Sequence, residues 1–312
     1  MRRWTPLLLL ACLALPASAA APAFLFAFGS AGSGAGQFSA PHGLATAPDG
    51  TIYVGDTVNG RVERFSAAGA LLGQWPAGLP GGVAVDGGGN VYVLDVNTNR
   101  VLVFSDTGTF QRSFGGTGSA SGQMNFPLDL AVDASGFVYV ADWLNHRVQK
   151  FTGAGAFVLA WGTQGPGDGQ FDEPTSIAAD AAGFVYVADG GQNRVQKFTA
   201  TGGFVAAWGG AGSANGQLSF PTGVALDPGG YVLVLDAGNS RVQAFRPDGA
   251  FVLAFGSSGS GPSQFASPAA LDVDPGHRIV VLDKDNSRVQ VFADLATPAR
   301  RASWGALKAA FR

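Results

Sequence analysis

Three histidines, one cysteine and a recurring Asp–Arg pair are the residues through which this chain could do chemistry. His42, His146 and His277 would suit zinc if they met at one point, since the metal needs ligands about 2.0–2.1 Å from a common centre. The lone thiol, Cys12, lies inside an apolar N-terminal run. Asp56, Asp95, Asp142, Asp189, Asp236 and Asp283 are each followed five residues later by an arginine: Arg61, Arg100, Arg147, Arg194, Arg241 and Arg288. A catalytic centre is built from a few converging groups rather than six equivalents, so these pairs are expected to brace a turn. Asp283-Lys284-Asp285 opens like a calcium loop but lacks the later glycine and glutamate, and reads as a turn.

The elements around those aspartates repeat. A run of three β-formers precedes each one, as in Val138-Tyr139-Val140, and Arg-Val-x-x-Phe follows, as in Arg147-Val148-Gln149-Lys150-Phe151. The aspartates are spaced by 39, 47, 47, 47 and 47 residues. Each repeat carries four strand signals: a run after a proline, the run before the aspartate, Arg-Val-x-x-Phe, and an alternating run such as Ala250–Phe255. Pro48-Asp49-Gly50 and Pro247-Asp248-Gly249 mark turns between them. Four short strands in about 45 residues are the signature of a propeller blade. The expected fold is therefore all-β: a six-bladed β-propeller of four-stranded blades over residues 21–296.

Phe24–Phe28 reads like a fourth strand yet precedes the first blade. It is expected to supply the outer strand of the sixth blade, which removes an open seam of unpaired backbone groups. Ser303-Trp304-Gly305 imitates the same strand ending and competes for the slot. Trp304 lies 12 residues after Phe292, against 10 in the preceding repeats, which favours the N-terminal strand. One connection is also short. From the closing aromatic to the next proline there are 13 residues in five repeats, but only 5 from Trp75 to Pro80. A notch in the rim is expected there.

Composition narrows the class further. Gly is 47 of 312 residues, charged residues are 13%, hydrophobic residues 46%, and there are 23 Phe. Such a chain has enough apolar material for a core, and disorder would need the reverse balance. The net charge of −3 does not suggest a nucleic-acid binder. Arg2 and Arg3, the Leu7–Leu15 run and Ala17-Ser18-Ala19-Ala20 form the three parts of a secretory signal, expected over residues 1–20. Cleavage would take the charge from −3 to −5 by removing two arginines. The expected location is secreted or periplasmic, with lipid anchoring through Cys12 as a minor alternative. Residues 297–312 form a basic tail in which Trp304, Leu307, Lys308 and Phe311 fall at helical spacing.

The stretch Asp142-Trp143-Leu144-Asn145-His146-Arg147-Val148-Gln149-Lys150-Phe151 resembles the NHL repeat. So do Gly36-Gln37-Phe38 with Pro41, and Gly169-Gln170-Phe171 with Pro174. The resemblance covers residues 24–292. It implies a six-bladed propeller, in that family usually an interaction platform. Some relatives in the wider six-bladed group are amidating lyases, gluconolactonase-like hydrolases or a streptogramin lyase. RNA binding occurs among intracellular relatives, and the export signal and negative charge argue against it here.

Sites are expected where the repeats differ. Strand alternation puts His277 on the face opposite His42 and His146, so no three-histidine zinc site and no cofactor are expected. The second residue after each proline should ring the axis: Gly43, Gly82, Asp129, Ser176, Gly223 and Ala270. That gives one axial carboxylate, Asp129, beside Ser176, with no evident nucleophile. The recurring Gln37, Gln123, Gln170, Gln217 and Gln264 are expected to be buried and hydrogen-bonded in the inter-blade loops. Trp143 and Leu144 stand where other blades carry small or polar residues. With His146 and His42 they form the expected contact face for a protein or glycan partner. The leading expectation is a monomeric, exported, non-enzymatic binding or scaffold module. The alternative is a secreted lyase or lactone hydrolase working at the axial mouth.

Overall fold

A computed structural model of the protein describes residues 20–295. They form six four-stranded antiparallel sheets, the blades of a β-propeller, numbered here in the order in which their first strands occur. Blade 3 is representative, with strands Pro127–Val132, Val138–Asp142, Arg147–Phe151 and Phe157–Trp161. The first strands of neighbouring blades touch one another around the whole ring. Among the described residues there is no α-helix, only 3-10 turns at Trp143–Asn145 and Ala237–Asn239.

The core lies between blades rather than within one. Tyr139, Ala141 and Val148 of blade 3 pack on Phe171, Ile177, Val185, Val187 and Phe198 of blade 4. A sheet buried on both faces reads as a continuous apolar run, which is why the second strands are buried along their length. The ring closes as the sequence predicts. Phe24–Phe28 pairs with Arg288–Phe292, Phe28 opposite Val289, and Phe28 reaches blade 1 with its ring 4.7 Å from Phe65. The competing segment near Trp304, the tail, Cys12 and residues 1–19 lie outside the described residues.

Each buried aspartate holds far more than a turn. In blade 3, Asp142 Oδ1 accepts the Asn125 N–H at 2.7 Å. Its Oδ2 accepts from Asn145 Nδ2 (2.9 Å), Arg147 Nε (2.8 Å) and Gln149 Nε2 (3.0 Å). Arg147 then donates to the carbonyls of Ser119, Ala120 and Gln123 at 2.9, 3.0 and 2.7 Å. Gln149 donates to the Gln123 carbonyl at 2.6 Å and accepts the Gly122 N–H at 3.0 Å. The expected brace within the turn is thus a clamp on the whole loop that enters the blade. Ion pairs of the same form join Arg61, Arg194, Arg241 and Arg288 to their aspartates.

Blade 2 departs from this, which corrects the expectation of six equivalent pairs. The loop before it, shortened as the spacing implies, offers no arc of carbonyls. Arg100 is exposed and donates only to Ser113 Oγ, at 3.3 Å. Asp95 binds the Leu79 and Asn97 N–H groups and the Thr98 hydroxyl instead. Leu102 stands where Gln149 stands in blade 3 and packs against the core. The loop glutamines also need correcting. Their side chains accept loop N–H groups, as Gln37 does from Gly34 at 2.9 Å, but they are half-buried or exposed. The fully buried glutamines are Gln149, Gln196, Gln243 and Gln290 on the third strands.

Two predictions follow from the clamp. Breaking a buried pair by removing one partner is strongly destabilising. Arg147→Met should therefore lower unfolding stability by about 3 kcal/mol, whereas Arg100→Met should stay within about 0.5 kcal/mol of the parent, as for surface changes elsewhere. Equal losses in denaturant titration would contradict the account. In blade 1 Glu63 takes the glutamine position. Its Oε1 accepts the Gly36 N–H at 3.0 Å and pairs with Arg61 Nη2 at 3.1 Å, while Oε2 is buried without a partner. Burial raises the Glu63 pKa. Glu63→Gln gives up the pair with Arg61, which keeps Asp56, but restores the donor found in the other clamps, and should raise stability at pH 7 by about 1 kcal/mol. An unchanged or lower denaturation midpoint would count against it.

Candidate binding face and axial channel

The turns between second and third strands and the loops between blades share one face. On blade 3 the turn Trp143–Asn145 ends at His146, held at φ 53°. Trp143 is half-buried, its ring 5.4 Å from that of Phe126. Leu144 is 46% exposed and Phe126 41%. His146 is occupied structurally, its Nδ1 against the Asp172 carbonyl in the loop entering blade 4. His42 is not gathered with these residues. It lines a separate recess with Phe220 and Lys284.

Sequence reasoning missed Phe126 and Phe220. Both precede a proline, both project from this face, and both have positive φ, 51° and 44°. A bulky residue in the left-handed region costs on the order of 1–3 kcal/mol and persists only when its surroundings impose it. The same conformation recurs before the proline at Ala40 (44°) and Ser267 (45°), so the repeat imposes it; Asn99 and Asn193 add a bond here, each accepting the phenylalanine N–H, at 2.7 and 2.8 Å. The available signal was Phe-Pro in two repeats where the others carry Ala40, Leu79, Glu173 and Ser267 before the proline. Val58, 64% exposed, and Leu79, 38% exposed, extend the apolar surface across blades 1 and 2.

The axis is lined by the first strands. A channel of about 240 Å³ runs past Thr46, Asp129, Ile177 and Asp272. It narrows to about 20 Å³ where Gly43, Gly82, Leu128, Asp129 and Ser176 converge. Glycine is needed at position 82, because a Cβ there would lie 2.7 Å from Asp129 Cα. Asp129 and Ser176 meet as their alignment suggests. Ser176 Oγ donates to Asp129 Oδ2 at 2.7 Å and accepts the Val224 N–H at 3.1 Å, linking blades 3, 4 and 5. The N–H groups of Ile177 and Leu130 complete the site at 3.1 and 2.9 Å.

The expectation of a single axial carboxylate is corrected by Asp272. Its Oδ2 accepts from Thr46 N–H at 2.7 Å and Thr46 Oγ1 at 2.9 Å, and its Oδ1 accepts the Val273 N–H at 2.8 Å. Asp272 thus ties blade 6 to blade 1. It lies two residues further along its strand than the aligned ring position, and side chains two apart share a face. Burial pushes both carboxylates up to about 6 against the pull of these hydrogen bonds.

His277 lies elsewhere, with its Nδ1 2.8 Å from Asp227 Oδ1. The three histidines do not converge, and among the described residues no three His, Cys, Asp or Glu side chains are grouped to hold a metal ion. No helix among the described residues is long and apolar enough to cross a membrane.

The six-bladed ring with its loop face and narrow axial channel defines a β-propeller. The repeat pattern of the NHL repeat matches residues 38–65, 78–104, 124–151, 171–198, 218–245 and 265–292. The chain belongs to the NHL repeat family. No protein of curated function matches it. Among solved structures, one of unknown function from Bacteroides thetaiotaomicron aligns with a TM-score of 0.68 at 17% identity, covering 85% of this chain and 74% of its own. A streptogramin B lyase aligns at 0.61 and 12% identity, covering 82% and 93%. A chain of a nidogen–laminin complex aligns at 0.56 and 20% identity, covering 69% and 79%. These likenesses show the fold.

The axial groups set a pH dependence. Folded Asp129 and Asp272 keep protons up to about pH 6, whereas unfolded aspartates release theirs near 3.9. Their contribution is complete below that value and is lost as pH rises through 6. His42 opposes this, since burial and then the Lys284 charge lower it to about 4. Between pH 4 and 6.5 it therefore favours folding as pH rises. Asp129→Asn with Asp272→Asn should remove most of the fall in stability between pH 4 and 6, a change of a few kcal/mol across the window at most. Denaturation midpoints at half-unit pH steps read the slope. An unaltered slope would rule out these two carboxylates as its source.

Proposed function

We propose that this protein is an exported, non-enzymatic binding or scaffold module that holds a protein or glycan partner on its loop face. One observation carries the reading: Phe126 and Leu144, 41% and 46% exposed, stand on the loop face of blade 3 beside the Trp143 ring. Phe126, with Leu144 and the ring of Trp143 behind it, has the aromatic and aliphatic character of an interface anchor. The tripartite N-terminal sequence supports export, and the solved nidogen–laminin complex is a case of this fold type in an assembly.

An enzyme at the axial mouth is the second reading. It is favoured by two channel-facing carboxylates raised to about 6, a range suited to general acid–base work. Against it, the neck beside Asp129 and Ser176 has room for about 20 Å³, and every oxygen of both carboxylates already accepts a hydrogen bond.

The test is a quantitative pull-down of the mature protein against its own cell envelope, comparing parent, Phe126→Asn and Leu144→Ser. Asparagine tolerates positive φ, so Phe126→Asn should leave the melting temperature unchanged or raise it. Retention of a specific partner should fall at least about tenfold, since loss of an anchor costs ~2 kcal/mol or more. Undiminished retention by both variants would overturn the face assignment.

A further inference from the structure

A recess of about 350 Å³ opens on the loop face across blades 5, 6 and 1. Its walls are mostly the small or flat apolar surfaces of Phe220, Ala237, Pro268 and Ala269, with the hydroxyl residues Thr222 and Ser267 among them, and the Lys284 ammonium stands at it beside the His42 imidazole, neutral at pH 7. Lys284 is half-buried, and its side chain has no ion-pair or hydrogen-bond partner among the described residues. Every other cation that faces this side of blades 1 and 3–6 is locked into a clamp. The His42 side chain likewise has no hydrogen-bond partner, although its backbone N–H is bound by the Gly55 carbonyl. Asp285, the neighbour of Lys284, is exposed and does not line the recess.

A half-buried ammonium without a counter-charge gives the recess a positive potential, and the neutral imidazole beside it offers a ring N–H as a second donor. The complement of such a recess is an anion. The volume lies in the range of small-molecule pockets, which combine apolar walls with a few orienting polar groups. The Phe220 ring, leaning over Gly190, offers one flat wall. We propose that this recess binds a small carboxylate with a flat apolar body, the carboxylate on Lys284 and His42 and the body against Phe220 and Ala269.

The site is distinct from the Phe126–Leu144 anchor and can be tested without knowing the protein's partner. Benzoate serves as the probe and benzamide as its uncharged counterpart, titrated at pH 7 into the folded mature protein and followed by backbone amide shifts. Saturable benzoate binding is expected, with the largest shifts at Gly238, Ala269 and Lys284. A charge-assisted hydrogen bond contributes roughly 1.5–3 kcal/mol, so benzamide, or benzoate with Lys284→Met, should bind at least about tenfold more weakly. Phe220→Asn should weaken benzoate several-fold while keeping the backbone at that position. Leu144→Ser should leave benzoate binding intact. No saturation at millimolar benzoate, equal binding of benzamide, or equal binding by a folded Lys284→Met variant would overturn the proposal. Loss of benzoate binding in Leu144→Ser would do so as well, by placing the probe on the other patch.

Discussion

The buried aspartate at the end of each second strand is the constraint on which the ring depends. A carboxylate with no exposure would be prohibitive alone, and it is tolerated because each oxygen accepts hydrogen bonds and an arginine neutralises it. Asp142 binds a loop N–H, an asparagine, an arginine and a glutamine. Those partners carry the attachment outward to the loop carbonyls. One charge therefore fixes both the turn of its own blade and the chain arriving from the previous one. Blade 2 shows that these parts form one unit. Where the loop is short, the arginine is released, the buried glutamine becomes Leu102, and the aspartate finds other donors.

The axis is held by a second set of contacts that does not repeat. Asp129 and Ser176 link three blades on one side, and Asp272 with Thr46 links the last blade to the first on the other. Between them the approach is close enough that glycine is required at position 82. The ring closure is thus doubled: strand pairing at the outer edge through Phe24–Phe28, and a carboxylate–hydroxyl contact at the inner edge.

Much of this was legible in the sequence because the repeat encodes local structure. Strand runs, turn residues and the aspartate spacing fixed the blades, and the displaced fourth strand at Phe24–Phe28 revealed the closure. What was not legible depends on where a side chain reaches across blades. Arg147 reads as a partner of Asp142 from spacing alone, but its three loop carbonyls become neighbours only in the ring. Asp272 escaped because the repeats were aligned on one position after the proline, whereas the channel is lined by residues two apart along each strand. His42 and His146 share a face, yet the ring separates them, and His146 is spent on the Asp172 carbonyl. Positive φ before the proline is shared by Ala40, Phe126, Phe220 and Ser267, and the bonds that Phe126 and Phe220 donate go to Asn99 and Asn193, each 27 residues earlier in the chain. No local pattern carries that pairing.

A ring of near-identical blades leaves few positions free for recognition. Loop carbonyls are taken by the arginines, buried aspartates by loop N–H groups, and the inter-blade surfaces by apolar packing. Freedom remains at the residue before each proline and at the two residues after each buried aspartate, which point away from the clamp. At those positions this chain places Phe126, Trp143 and Leu144 on one side, and Phe220 and Lys284 on the other. Blade 4, with Gly190 and Gly191, carries almost no side-chain bulk after its aspartate, so the two groups stay separate. Their chemistry differs, one apolar and one cationic with an apolar wall, because nothing in the shared architecture makes them alike. The repeat supplies rigidity, and its irregularities supply the side chains that differ from blade to blade.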